Sequence, residues 1–381
     1  MNKRLLYITD TPYKAKSGGG TNCSIHYDIV KSQFKNNMYS VFACEKSDKL
    51  YDENAIQGFT CSSAEKMEAI LKGYPPYLTR SVRKTIWDFI DRYQIDIVYI
   101  ENSVSGNFVK KLKQKKKKII VVCFFHDIES VLMQTWISKA NLMRKISLKT
   151  MILNEKETVK YADKKIVLND RDFNLYKKIY GKKPDYIIPI SVPVQDKNLT
   201  GEKHVRGKVL NLLFVGADYQ PNIDAVKWYI DEIADGVRNK AKLTVVGYKM
   251  EKYKSVFEHE NVIIKGTVDD LTKFYVDSDI VIAPLFSGGG MKIKTAEALS
   301  YGKIFVGTDE SLTGYWESVP ERLRNKFVFK ENTALEYIEL FNDMYEKTFD
   351  KYNDDIRDWM FNYYSLNANM KRYEKIWLDL I

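Results

Sequence analysis

The stretch SDIVIAPLFSGGGMKIKTAEALSYGKIFVGT, residues 278–308, decides the fold. Its first apolar run, IVIA, is short, β-branched and bounded by polar residues and a proline, so it reads as a buried strand. Gly288, Gly289 and Gly290 then remove the side chains where a backbone must come close to a ligand. A helical pattern begins near Met291, carries Ala296, Ala298 and Leu299, and is stopped by Gly302 ahead of a second β-branched run. Strand, glycine turn, helix and strand is the repeating element of a parallel α/β sheet. The free N–H groups and positive end of such a helix make its glycine turn a phosphate site. Lys292 and Lys294 add cations beside it. On an ideal helix they point about 200° apart, with Lys294 nearer the face of Glu297. A carboxylate at Glu297, interrupting an apolar face, suits a pair of sugar hydroxyls.

Working outward, the same alternation covers the chain. Strands are expected over 5–9, 40–44, 97–100, 118–124 and 165–168, with helices over 24–35 and 79–93. In the second half, strands are expected over 211–215, 242–246, 262–265, 280–283 and 304–306. Residues 187–208 carry Pro189, Pro193 and several polar residues, which is a linker signal. The expected organisation is therefore a first Rossmann-like domain over 1–190, a linker over 191–208 and a second Rossmann-like domain over 209–362. A C-terminal helix over 363–381 is expected to pack back on the first domain. Two such domains facing each other leave a cleft at the carboxyl ends of both sheets, where open α/β sheets bind ligands.

Composition agrees. The 381 residues are 45% hydrophobic and 13% aromatic, which excludes a disordered or fibrous chain. The longest clean apolar run, 119–125, falls short of the roughly 18 residues of a membrane span. The start MNKRLLYITD lacks the apolar core and cleavage site of a secretory signal. Cys23, Cys44, Cys61 and Cys123 show no paired spacing and read as free thiols of a reducing cytoplasm.

Charge is divided unevenly. Residues 1–190 hold 34 Lys and Arg against 20 Asp and Glu, a balance of +14, whereas the remainder stands at −4. The densest piece is KKLKQKKKK, residues 110–118, with seven lysines. WISKANLMRKISLKTMI, residues 136–152, sets Trp136, Ile137, Ala140, Met143 and Leu148 against Lys139, Arg144, Lys145 and Lys149 in an amphipathic helical pattern. Both segments suit attraction to an anionic membrane surface, where each lysine adds about 1 kcal/mol. Nucleic acid is disfavoured, since no aromatics interleave with the lysines and no DNA- or RNA-binding motif is present.

The motif P-L-x-x-G-G-G-x-K-x-K-x-x-E-A-x-x-x-G resembles the donor-site signature of family 4 glycosyltransferases of the GT-B fold (glycosyl transferases group 1), in the branch with a G-G-x-K-x-K loop. FVGADYQPNIDAVKWYIDEI (214–233), LTVVG (243–247) and VIIKGTVDDLTKFYVDSDIVIAPL (262–285) resemble further segments of its second domain. FFHDIES (124–130) and YADKKIVLNDRDFNLYKKIYG (161–181) are similar to pieces of its first. The resemblance implies transfer of a sugar from a nucleotide-diphosphate donor, a UDP-sugar above others, with retention of configuration. The acceptor would be a glycan of a surface polysaccharide or glycoconjugate, lipid-linked forms included. No cofactor and no metal are implied, and the enzyme would work at the inner face of the cell membrane.

By motif position, Glu297 would hold the donor ribose. Gly288, Gly289, Gly290 and Met291 would meet the diphosphate through backbone, and Lys292 and Lys294 would neutralise it. Gly216 would lie at the donor, and Gly266, Thr267 and Val268 would border the base. His126, with Asp127 and Glu129 adjoining, would stand near the transferred sugar. Lys294, Glu297 and His126 are the catalytic candidates. Many members carry a second glutamate eight positions before the ribose-binding one; here that position is Gly289, as in the G-G-G-x-K branch.

Other patterns compete. Asp277-Ser278-Asp279 spells D-x-D, the metal motif of the other major glycosyltransferase fold, but it sits at an ordinary helix-to-strand junction. Gly18, Gly19 and Gly20 with Glu45 imitate a dinucleotide fingerprint, yet the spacing fails, and a loop beside the cleft is expected instead. The rival functions are an NAD-dependent oxidoreductase and a basic nucleic-acid-binding protein.

Overall fold

The computed structural model describes residues 3–13, 18–44, 54–138, 140–192 and 203–380. Glu45, Lys139 and residues 193–202 of the expected linker lie outside them. The chain divides into two compact units, one of residues 1–191 with 369–381 and one of residues 192–368.

The first unit is built on a seven-stranded sheet of β1 (Leu5–Thr9), β2 (Met38–Phe42), β3 (Ala55–Gln57), β4 (Ile97–Ile100), β5 (Ile120–Phe125), β6 (Lys164–Val167) and β7 (Tyr186–Ile187), in the order 3-2-1-4-5-6-7. Every pairing is parallel. β1 and β4 are buried along their whole length, which is why they read as unbroken apolar runs instead of alternating ones. Helices cover the sheet because their apolar residues share one face. Arg80–Arg92 buries Val82, Ile86, Phe89 and Ile90 at helical spacing. The last helix, Leu366–Leu378, delivers Tyr373 and Trp377 to this unit. Trp377 is wholly buried against Phe34, and its indole N–H donates to Gln33 at 2.5 Å. Truncating it to alanine would cost about 3–5 kcal/mol.

Three expectations change here. Gly18–Gly20 are the first turn of the helix Gly18–Phe34 and not a loop. First-turn N–H groups have no partner inside the helix in any case, so glycine does little harm there. Residues 136–152 are not one helix: Glu129–Ile137 and Leu142–Tyr161 are separate, and Asn141 caps the second by accepting from the Arg144 N–H at 2.9 Å. Ile137, Ala140 and Leu148, read as a membrane-facing stripe, pack in a small core with Val104 and Met133. The lysine run also divides. Lys110 pairs with Glu157 at 3.0 Å, Lys113 with Asp163 at 2.8 Å and Lys116 with Asp91 at 2.6 Å.

The second unit has a six-stranded sheet of β9 (Leu210–Val215), β10 (Ala241–Val246), β11 (Val262–Gly266), β12 (Ile280–Ala283), β13 (Ile304–Gly307) and β14 (Val328–Lys330). Its order is β11-β10-β9-β12-β13-β14, all parallel, so the strand order reverses between β9 and β12. Part of the expected linker is a strand instead. β8 (Lys203–His204) pairs antiparallel with β15 (Phe349–Asp350), and the buried His204 ring stacks on Phe349 at 4.8 Å. Among the described residues, no helix in either unit is long and apolar enough to cross a membrane.

Candidate active site

At the switch in strand order, the carboxyl ends of β9 and β12 point to one region of the second unit. After β12 the backbone runs through Gly288 and Gly290, at φ +139° and +60°, a region that favours glycine. The helix then starts at Ile293, two residues later than expected, because Lys292 is extended at φ −85°, ψ 113°. Lys292 is therefore not on the helix. Its ammonium turns back to donate to the carbonyls of Gly290 at 2.9 Å and Gly289 at 3.3 Å, and it pairs with Glu310. The Tyr315 hydroxyl holds the Lys292 carbonyl at 2.9 Å. Lys292 thus fixes the glycine loop. The two lysines have different jobs.

Lys294, in the first turn of the helix, donates to Asn222 and lies 4.4 Å from the Phe214 ring centre. Burial, helped by the neighbouring Lys292 charge, pushes its ammonium down to about 7. A side chain at Gly216 would meet Phe214 at 2.7 Å, Asn222 at 2.8 Å and the Lys294 nitrogen at 2.9 Å, so only glycine leaves this cradle open. One turn on, half-buried Glu297 accepts from the Tyr275 hydroxyl at 3.2 Å. Burial raises its carboxyl above the ordinary value. At the end of β11, Glu251 accepts from the Thr267 N–H at 3.0 Å and fits where Gly266, at φ +78°, has no side chain. Val268 follows, half-buried, in the same turn. Gly216, Asn222, Lys294 and Glu297 are therefore drawn together, with Met291 buried beside the loop.

Two residues of the D-x-D pattern, Ser278 and Asp279, are tied into the fold. Asp279 is buried, accepts from the Asn211 N–H at 2.7 Å and pairs with Lys351 at 3.1 Å. Ser278 donates to the Tyr275 carbonyl at 2.9 Å.

In the first unit a second cluster forms around Glu101, just past β4. Its fully buried carboxylate accepts from the Tyr7 hydroxyl at 3.0 Å, and lies 2.5 Å from His26 Nδ1 and 2.9 Å from His126 Nε2. Burial alone would raise this carboxyl, but the two histidines outweigh it and hold it down at about 2. Burial likewise opposes a charge on His126, while Cys23 and Glu101 lift its pKa well above the ordinary value. Glu155, also buried, caps the helix Glu129–Ile137 by accepting from the N–H groups of Glu129 and Ser130, both at 2.9 Å. Burial, with Asp127 and Glu155 nearby, raises the Glu129 carboxyl to about 7. Asp127 itself lies 4.0 Å from Arg171.

Sequence reasoning singled out His126 but missed Glu101, His26, Cys23 and Tyr7, and in the second unit Asn222, Tyr275, Glu251 and Glu310. Asn222 could have been found, since it is the Asn of the quoted P-N pair opening a helix. Glu101 also left a signal, as a carboxylate directly ending a fully apolar strand.

Residues 210–347 match the family model for glycosyl transferases group 1. A Klebsiella pneumoniae chain, "Uncharacterized 44.6 kDa protein in cps region", is 23% identical over 368 residues, 85% of this chain and 87% of its own length. Among solved structures, the lipopolysaccharide outer core galactosyltransferase WaaB superposes with a TM-score of 0.69 at 13% identity, over 99% of this chain and all of WaaB. Anabaena Alr3699/HepE in complex with UDP-glucose does so with a TM-score of 0.64 at 11% identity, over 98% of this chain and 99% of HepE. Residues 210–347 match the glycosyl transferases group 1 model, and the chain as a whole has the GT-B fold of two Rossmann-like units.

Proposed function

We propose that this chain moves a hexose from a UDP-sugar, with retention and without a divalent metal, to a glycan acceptor of a surface polysaccharide or glycoconjugate. One observation carries the reading. Gly216, Asn222, Lys294 and Glu297 converge beside a glycine loop and a helix N-terminus at the switch in strand order. The UDP-glucose bound by HepE, the galactosyl transfer named for WaaB and the cps region of the Klebsiella relative support the donor and acceptor classes.

The chemistry follows from charge. As the glycosidic bond breaks, negative charge grows on the leaving diphosphate, where the helix N-terminus and Lys294 already point. Losing one such preorganised donor costs about 2.7–4 kcal/mol of transition-state stabilisation. Lys292, tied to the loop carbonyls, keeps the glycine amides in place. Glu297, oriented by Tyr275, takes the ribose hydroxyls. His126, held by Glu101, stands to serve the sugar. Because Lys294, charged once the diphosphate is bound, and the helix N-terminus supply positive charge there, transfer needs no metal.

The first unit would meet an anionic membrane. With three lysines of the run paired, the support narrows to Trp136, Leu142 and Met143, at 43, 73 and 45% exposure, beside the exposed Arg144 and Lys149. A panel of nucleotide sugars tests the function: UDP-hexoses should be hydrolysed slowly without acceptor, and UDP should raise the melting temperature. Protection by NADH but not by UDP would point to an oxidoreductase instead.

A further inference from the structure

Three distant segments of the first unit bring a thiol, an imidazole and a carboxylate to one point. Cys23 lies on the helix Gly18–Phe34, Glu101 follows β4 and His126 follows β5. Cys23 Sγ is 3.5 Å from His126 Nε2, and Glu101 Oε1 is 2.9 Å from the same nitrogen. One ligand atom from each residue lies within 4.8 Å of the other two. This is not the relay of a cysteine nucleophile. There the imidazole takes the thiol on one nitrogen and the carboxylate on the other, whereas here both meet Nε2.

The sulfur–nitrogen and nitrogen–oxygen separations lie close to those of a metal's ligands. Around a tetrahedral zinc ion, bonds of about 2.3 Å to sulfur and about 2.0–2.1 Å to nitrogen or oxygen set sulfur and nitrogen about 3.6 Å apart, and nitrogen and oxygen about 3.3 Å apart. The sulfur–nitrogen distance already agrees, and the nitrogen–oxygen distance must open by a few tenths of an ångström. Thiolate and imidazole select a zinc-class ion over magnesium or calcium. The Tyr7 hydroxyl holds the carboxylate by its other oxygen, Oε2, and His26 Nδ1 meets Oε1 itself, the kind of outer partners that metal ligands require.

We propose that Cys23, Glu101 and His126 bind one thiophilic divalent cation of the zinc class, with a fourth position open where the His126 side chain is 24% exposed. As the sulfur–metal bond forms, the thiol proton leaves to solvent, so binding weakens as pH falls. Resting on the reading that His126 serves the transferred sugar, the ion would occupy that histidine and inhibit transfer.

Cobalt(II) is the probe, added to the full chain with no donor present, so the outcome does not depend on the glycosyltransferase reading. A 1:1 complex with a thiolate-to-cobalt charge-transfer band is expected, displaced by zinc. Cys23→Ser and Cys23→Ala should lose the band, Cys61→Ser should keep it, and His126→Asn should weaken binding at least tenfold. Far-UV circular dichroism of each variant checks folding. If neither Cys23 variant folds, proton release on zinc addition to the wild type decides: at least one proton per ion supports the site. No thiolate band on the folded wild type, a band that survives loss of Cys23, or no proton release would overturn it and leave a hydrogen-bonded network only. Separately, zinc should inhibit transfer reversibly, and EDTA should restore it.

Discussion

The two clusters are built in opposite ways. In the second unit, the glycine loop, Lys292, Lys294 and Glu297 fall within ten residues of one another, and the strand–loop–helix unit alone places them. In the first unit, Tyr7, Cys23, His26, Glu101 and His126 come from β1, one helix and the ends of β4 and β5. Local structure places a backbone-built phosphate site, whereas a buried charge network exists only once the sheet has formed. The second arrangement should therefore be the more tightly coupled to stability, and the first the more separable from it.

That contrast can be broken most severely at Glu101. Glu101→Gln leaves the buried His26 and the half-buried His126 without their carboxylate, and unfolding should become easier by about 3–5 kcal/mol. Because the folded carboxyl is held at about 2, its contribution is present above the unfolded value near 4.3 and is lost as pH falls toward 2. Denaturant titrations at pH 6 and pH 3 check both points; an unchanged midpoint in the variant would erase the distinction. At the donor site the expected effect falls on turnover and not on folding. Lys294→Ala and Glu297→Ala should each cut transfer at least tenfold, from the roughly 1.5–3 kcal/mol of a charge-assisted hydrogen bond. Melting temperatures near that of the wild type would confirm that the fold is spared.

The same contrast explains what could be read in advance. Buried parallel strands such as 97–100 and 280–283 were legible because their apolar runs have no competing period. Short edge strands such as β3 and β7 were missed, having only three and two residues of pattern. Lys294 and Glu297 were legible from spacing, while the loop-pinning role of Lys292 was not, since it depends on the late helix start and on Glu310. The amphipathic reading of residues 136–152 failed in part because a helical pattern cannot tell a core from a membrane; Leu148 took the core and Leu142 the surface.

Smaller effects sharpen the picture. Since Lys294 is half-charged near pH 7 when free, a bound diphosphate should draw a proton onto it. UDP affinity should therefore weaken about tenfold between pH 7 and 8.5, a slope that Lys294→Met removes; a flat wild-type profile would contradict the depressed ammonium. Trp136→Ser with Leu142→Ser should lower co-sedimentation with anionic vesicles several-fold. Lys113→Ser should matter less, because its ammonium already faces Asp163. Equal, negligible binding to neutral and anionic vesicles would remove the membrane surface from the account. Smallest of all, EDTA should leave transfer by freshly purified enzyme unchanged, and a strict need for magnesium or manganese would count against the protein-cation mechanism.

The central claim is that the second unit's converging residues form a nucleoside diphosphate site. Calorimetric titration of UDP tests it most directly, using the wild type, Lys294→Ala and Glu297→Ala at pH 7. The account predicts one UDP per wild-type chain, with affinity at least tenfold weaker in each variant at unchanged stoichiometry. Wild-type affinity in both variants, or no heat from UDP at all, would contradict it.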